Sequence, residues 1–70
     1  SHDNISPSRE QFNDLRSTLI RYLSNKPTAP DQLVVELQPE NEQMMYESIR
    51  IMLDQGDLHY DSQGRITSTR

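Results

Sequence analysis

The chain has 70 residues, of which 31% are hydrophobic and 26% are charged, and it carries a net charge of −4. This length predicts one small domain with a modest core. The absence of cysteine excludes disulfides and thiolate metal sites, and the lack of a long apolar run argues against a membrane span or a signal peptide. We therefore expect one soluble, intracellular domain.

The negative charge is concentrated in the middle of the chain. Residues 31–61 contain Arg50 as their only cation, against Asp31, Glu36, Glu40, Glu42, Glu47, Asp54, Asp57 and Asp61. The segments before and after this stretch are both slightly basic. The sequence therefore predicts an acidic surface on the middle of the domain.

The first residues carry no structural pattern. Ser1 and His2 are typical of what remains after a purification tag is cleaved. We expect residues 1–5 to be a disordered tail and residues 6–70 to form one domain.

The first helix is predicted to begin at Ser6-Pro7, with serine as the cap and proline in the first turn. Its apolar face consists of Phe12, Leu15, Leu19 and Leu23, with Ile20 and Tyr22 beside it. Asn25-Lys26-Pro27 is predicted to end the helix, because proline disfavours a helical conformation at the residue before it.

A second, shorter helix is predicted after Thr28, which would cap it, with Pro30 in the first turn. Its buried side would be formed by Leu33, Val34 and Leu37. Gln38-Pro39 breaks this helix, and the next one begins at Glu40 or Asn41. Two helices joined by about four residues are typical of a helix-turn-helix unit.

The third helix is predicted from apolar residues at three- and four-residue steps, which are Met45, Ile49, Met52 and Leu53. Gly56 follows at the point where a helix commonly ends in a residue with positive φ. We expect the helix to end there.

From Leu58 onward the apolar period changes to two, which indicates strands. The residues expected to face the core are Leu58, Tyr60 and Ile66, and those expected to face solvent are His59, Arg65 and Thr67. Asp61-Ser62-Gln63-Gly64 predicts the turn between the two strands.

Three helices followed by a two-stranded hairpin predict an α+β domain, a small winged helix-turn-helix in which the hairpin is the wing. The main alternative is an open bundle of three helices, which requires residues 57–68 to be helical. Gly56, Gly64 and the ending Thr67-Ser68-Thr69 argue against that alternative.

The run IRIMLDQGDLHYDSQGRITST, within Ser48–Thr69, resembles the C-terminal winged helix of the 32 kDa subunit of replication protein A. It is also similar to the C-terminal winged helices of the minichromosome maintenance helicases. The resemblance covers about a third of the chain closely and the rest only as topology. It implies a nuclear domain that recruits partner proteins. The resemblance also allows the protein that contains this domain to be an enzyme such as a helicase.

Nothing in the sequence predicts catalysis, a cofactor or a metal. His59 is the only histidine outside the tag-like start, and its strand position points it to solvent. The carboxylates lack the spacing of a calcium loop, and the two glycines lie too far apart for a phosphate-binding loop. We expect the domain itself to be non-catalytic.

The first functional hypothesis is a protein-docking module, monomeric on its own, that binds a basic amphipathic helix. The predicted partner-binding residues are Asp57, Asp61, His59, Met44, Glu47 and Ile51. Within this set, Met44 and Ile51 are seven residues apart and predict a second, partly exposed apolar stripe on the third helix.

The alternative hypothesis is a DNA-binding winged helix that uses Arg9, Arg16, Arg21, Arg50 and Arg65. The usual recognition helix is unsuited to this role because Glu40 and Glu42 lie at its N-terminal end, where bases and phosphates would approach. DNA contact would therefore depend mainly on the first helix and the wing, and we expect it to be weak.

Overall fold

The computed structural model describes residues 8–69. Its elements in chain order are α1 (Arg9–Asn25), α2 (Pro30–Leu37), α3 (Glu42–Gln55), β1 (Leu58–Tyr60) and β2 (Ile66–Ser68). The two strands pair antiparallel. The predicted α+β class, with three helices followed by a hairpin in the winged-helix layout, is confirmed. The predicted disordered tail at residues 1–5 lies outside the described residues.

The cap of the first helix lies two residues after the predicted one. Ser8 caps α1: its Oγ accepts the N–H of Gln11 at 3.2 Å, and the Gln11 Oε1 accepts the N–H of Ser8 at 3.0 Å. This reciprocal capping box requires glutamine or glutamate three residues after the serine, which Ser8 has and Ser6 lacks. The prediction that Ser6 caps the helix was wrong, and Ser6 and Pro7 themselves lie outside the described residues.

Thr28 does not cap α2, contrary to the sequence prediction. Ala29 occupies the cap position without a side-chain hydrogen bond, and Pro30 begins the helix. Thr28 is instead 3% exposed and forms a bridge to β2, with N–H···O distances to Ile66 of 3.0 and 2.9 Å in the two directions. Both of its main-chain groups are thus paired with the sheet, and its hydroxyl donates to the Lys26 carbonyl at 2.9 Å rather than capping α2.

The turn between α2 and α3 has the predicted length of about four residues, but α3 begins at Glu42 and not at Glu40 or Asn41. Gln38 ends α2 in a left-handed conformation, and its N–H donates to the Val34 carbonyl at 3.0 Å. Asn41 then caps α3, accepting the N–H of Met44 at 3.0 Å. Four residues therefore separate the two helices, as a helix-turn-helix requires.

The hydrophobic core draws on all five elements. Its buried members are Leu19, Leu23, Leu33, Met45, Ile49, Met52, Leu58 and Ile66. Leu53, predicted on the buried face of α3, is half-buried and packs at the margin of this core. Because Leu58 and Ile66 are both buried, the hairpin is part of the core.

Tyr60 does not point into the core, although the alternation of β1 predicted that it would. Its exposed fraction is 55%, while Leu58 two residues earlier is 1% exposed. Two features explain the exposure of Tyr60: β1 is the edge strand, because β2 lies between Thr28 and β1, and Tyr60 is the last residue of β1, next to the turn. Ile66, opposite Tyr60, occupies the buried position, and Tyr60 lies at the outer margin of the sheet.

The end of α3 is closed by the predicted glycine. Gly56 has φ of 84°, its N–H donates to the Leu53 carbonyl at 3.3 Å, and the N–H of Asp57 donates to the Met52 carbonyl at 2.9 Å. These two bonds define a Schellman motif, which needs a left-handed residue at this position. The motif turns the chain from α3 directly into β1.

Replacing Gly56 with alanine should destabilise the domain by about 1 kcal/mol in urea denaturation, because only glycine adopts this φ without strain. A Cβ at this position would have no neighbour within 4 Å, so the cost comes from the backbone alone. Gly56→Asn is the matched control and should cost less, since asparagine tolerates left-handed backbone. A neutral Gly56→Ala variant would contradict this account.

Candidate functional site

An ion pair between α1 and the start of the wing is the central polar contact of the domain. The Arg16 Nε lies 2.9 Å from Asp57 Oδ2, and Arg16 Nη2 lies 3.3 Å from Oδ1. The side chains are 32% and 8% exposed respectively. The hydrogen bond from Arg16 to Asp57, followed by the opposite charge, raises the pKa of Arg16. Two parallel bonds to one carboxylate are a strong form of this interaction.

This pair changes the expectation for both residues. The sequence assigned Asp57 to partner binding and Arg16 to the alternative DNA surface, which treats each as an accessible charge. In the structure Asp57 is buried, and Arg16 is turned toward it. Asp57 is therefore not accessible to a partner, and Arg16 is occupied by Asp57 and not available to phosphates.

A second arginine is held within the hairpin turn. Asp61 Oδ1 accepts the backbone N–H groups of Gln63 and Arg65 at 2.8 and 2.9 Å, and Oδ2 accepts from Arg65 Nε at 3.0 Å. These contacts lower the pKa of Asp61, the backbone bond from Arg65 having the largest effect. Asp61 and Arg65, predicted to serve opposite partners, thus neutralise each other.

The cation of α3 is also paired. Arg50 contacts Glu47 through Nε, at 3.3 Å, and through Nη2, and it contacts Asp54 through Nη1 at 3.3 Å. The bond to Glu47 is the largest cause of a raised pKa at Arg50 and of a lowered pKa at Glu47. With two carboxylates around one guanidinium, this side of α3 carries net negative charge.

The predicted basic surface of α1 is divided. Arg9 and Arg21 are exposed, and neither makes an ion pair within residues 8–69. Arg21 follows Arg16 by five residues, so the two point about 140° apart around the helix axis. Arg9 shares the face of Arg16, but the paired Arg16 no longer extends a basic stripe there.

His59 lies on the exposed side of β1, with Nδ1 at 3.0 Å from the Thr69 hydroxyl. Within the part of the chain that the structure describes, no group of three histidines or carboxylates is placed to hold a metal ion. None of the described helices combines the length and the apolar composition that a membrane span requires.

An open groove of about 400 Å³ runs between α1 and the turn before α3. Its lining residues are Gln11, Asp14, Leu15, Pro39, Glu40, Asn41 and Met44. Of the predicted partner-binding residues, only Met44 lines it. Glu47 and Ile51, both half-buried, lie further along the same side of α3 by helical geometry.

The sequence did not predict this groove. Its two carboxylates, Asp14 and Glu40, belong to opposite walls and are distant in the chain, so no local spacing joins them. The helix-turn-helix pattern did indicate that residues 39–41 would lie beside another element, but not which face of α1 they would meet.

The Arg16–Asp57 pair should be coupled in a double-mutant cycle. Arg16→Met and Asp57→Asn, alone and together, are expected to give a coupling free energy of about 1–3 kcal/mol in urea denaturation, since Asp57 is buried. The matched control is the exposed pair of Arg50→Met and Asp54→Asn, whose coupling should be much smaller. Equal coupling in the two cycles would show that burial of Asp57 adds nothing.

The lowered pKa of Asp61 makes a prediction about pH. The carboxylate should stabilise the hairpin at pH above 3.8, the ordinary aspartate value, and this contribution should be lost as pH falls through the lower value of the folded protein. Carbon-detected NMR titration of Asp61 should give a lower midpoint in the folded protein than in urea. A midpoint equal to or above that of the unfolded chain would contradict the observed contacts.

Comparison with known proteins adds no family assignment. The chain matches no family model, and no curated protein and no solved structure is significantly similar to it. The function proposed below therefore depends on the side-chain geometry and on the resemblance within Ser48–Thr69.

Proposed function

We propose that this domain is a non-catalytic docking module that recruits a partner protein through a basic amphipathic helix. The observation that carries the proposal is the pairing of Arg16, Arg50 and Arg65 with the domain's own carboxylates. The setting, a DNA replication or other DNA-processing assembly in the nucleus, depends on the winged-helix resemblance alone.

The carboxylates that remain support a basic partner. Several are exposed and make no ion pair within residues 8–69, namely Glu10, Asp14, Glu36, Glu40 and Glu42. An accumulation of unpaired negative charge raises the local concentration of cationic partners and speeds their association. Duplex DNA, a polyanion, is repelled by the same surface.

The recognition helix is the least suitable part of the domain for DNA. In a helix-turn-helix the N-terminal end of the second helix meets the bases, and here that end carries Glu42, with Glu40 just before it. Arg50 contacts Glu47 and Asp54, so it would have to leave two carboxylates to reach a phosphate. Affinity for DNA depends on cations that are free to replace counterions, and α3 offers none.

Partly exposed apolar side chains supply the other half of a docking surface. Met44 and Ile51 are half-buried on one side of α3, with Glu47 between them in sequence. Amphipathic helices bind by placing apolar residues against apolar surface of this kind, while charges at the rim set the orientation and the association rate. Methionine suits this role because its flexible side chain adapts to the residue that it meets.

The proposal can be tested by fluorescence anisotropy at about 0.15 M salt. The probes are a designed helical peptide with a leucine stripe and lysines elsewhere, the same peptide with glutamate in place of lysine, and a short DNA duplex. The domain should bind the lysine peptide, less tightly as salt rises, and should bind the other two far more weakly. Arg65→Glu should leave peptide binding nearly unchanged.

The competing DNA hypothesis predicts the opposite ranking. Tight binding of the duplex by the unmodified domain, abolished by Arg65→Glu, would contradict the docking function. Equal affinity for the lysine and glutamate peptides would contradict it as well, because charge would then have no part in recognition.

A further inference from the structure

The groove between α1 and the turn before α3 carries a carboxylate on each wall. From α1 it receives Gln11, Asp14 and Leu15, which helical spacing at three and four residues places together. The opposite wall consists of residues 39–41 and Met44. Carboxylates thus face the groove from both walls, and among residues 8–69 no lysine or arginine lines it.

The amides in the groove are already engaged, whereas the carboxylates are not. Gln11 is held in the capping box of Ser8, and the Asn41 side chain caps α3 through the N–H of Met44. The side chains of Asp14 and Glu40 are exposed and make no hydrogen bond or ion pair within residues 8–69. A ligand would therefore meet fixed amides and two available negative charges.

The apolar lining determines the shape of the cation that fits. Leu15, Pro39 and Met44 are half-buried, so they present apolar surface without being sealed in the core. A lysine or arginine side chain combines an apolar stem with a cationic end and commonly lies along such surface. A small inorganic cation would leave the apolar surface uncovered, and an anion would face two carboxylates.

We propose that this groove holds a lysine or arginine side chain of the partner's amphipathic helix, together with an adjacent apolar residue. The cationic end lies between Asp14 and Glu40, and the apolar residue contacts Leu15 and Met44. This inference rests on the docking function and assigns its site. The site is centred on α1 and the α2–α3 turn, away from Asp61 and His59 of the wing.

The test uses NMR titration of the full chain with the same designed lysine peptide. Shift changes should be largest at Leu15, Asn41 and Met44. The double variant Asp14→Lys/Glu40→Lys should weaken binding by about tenfold or more, the scale measured for close charge pairs at interfaces. The neutral pair Asp14→Asn/Glu40→Gln should weaken it less, and it keeps the test valid if the lysine pair is poorly folded.

Glu36→Lys/Asp54→Lys is the matched control, since it changes the net charge by the same amount at two exposed positions outside the groove. It should weaken binding by less than about threefold, through long-range charge alone. Equal weakening by the two pairs would overturn the groove assignment, as would shift changes confined to residues 58–68, and both results would leave the docking function intact. Failure of the unmodified domain to bind the lysine peptide would overturn the function and the site together.

Discussion

The fold depends on how the wing is attached to the helices. A two-stranded hairpin of three-residue strands has little stability of its own, so it must be held by the layer beneath it. Leu58 and Ile66 bury its inner side, Thr28 pairs with β2, and the Schellman motif at Gly56 fixes its direction. The bidentate contact of Arg16 with buried Asp57 joins the middle of α1 to the last residue of that motif. This polar contact fixes where the hairpin meets α1.

The pairing of arginine with carboxylate recurs on the surface and supports the proposed docking function. Arg50 is enclosed by Glu47 and Asp54 on α3, and Arg65 is held by Asp61 in the hairpin turn. Individually, exposed pairs add little stability. Together they engage the arginines that α3 and the wing would offer to phosphates, whereas Arg9 and Arg21 of α1 make no ion pair within residues 8–69.

The sequence predicted most of the elements because their signals are local. Apolar spacing located the helices, Gly56 located the end of α3, and the Asp61–Gly64 segment located the turn. The capping box at Ser8 was also predictable, since Gln11 lies three residues later. The proline after Ser6 favoured Ser6 as the cap instead. Thr28 and Tyr60 were mispredicted because their environments depend on the order of strands in the sheet. The Arg16–Asp57 pair and the groove join residues that are far apart in the chain, so no local pattern contains them.

We propose that the domain's own carboxylates exclude duplex DNA from α3. The most direct measurement is the DNA affinity of Glu47→Gln/Asp54→Asn, which releases Arg50, compared with that of the unmodified domain across a range of salt concentrations. We expect negligible DNA binding by the unmodified domain at about 0.15 M salt. The variant should show a measurable gain, whose salt dependence corresponds to about one additional phosphate contact. Strong DNA binding by the unmodified domain, unchanged on releasing Arg50, would show that these carboxylates do not exclude DNA.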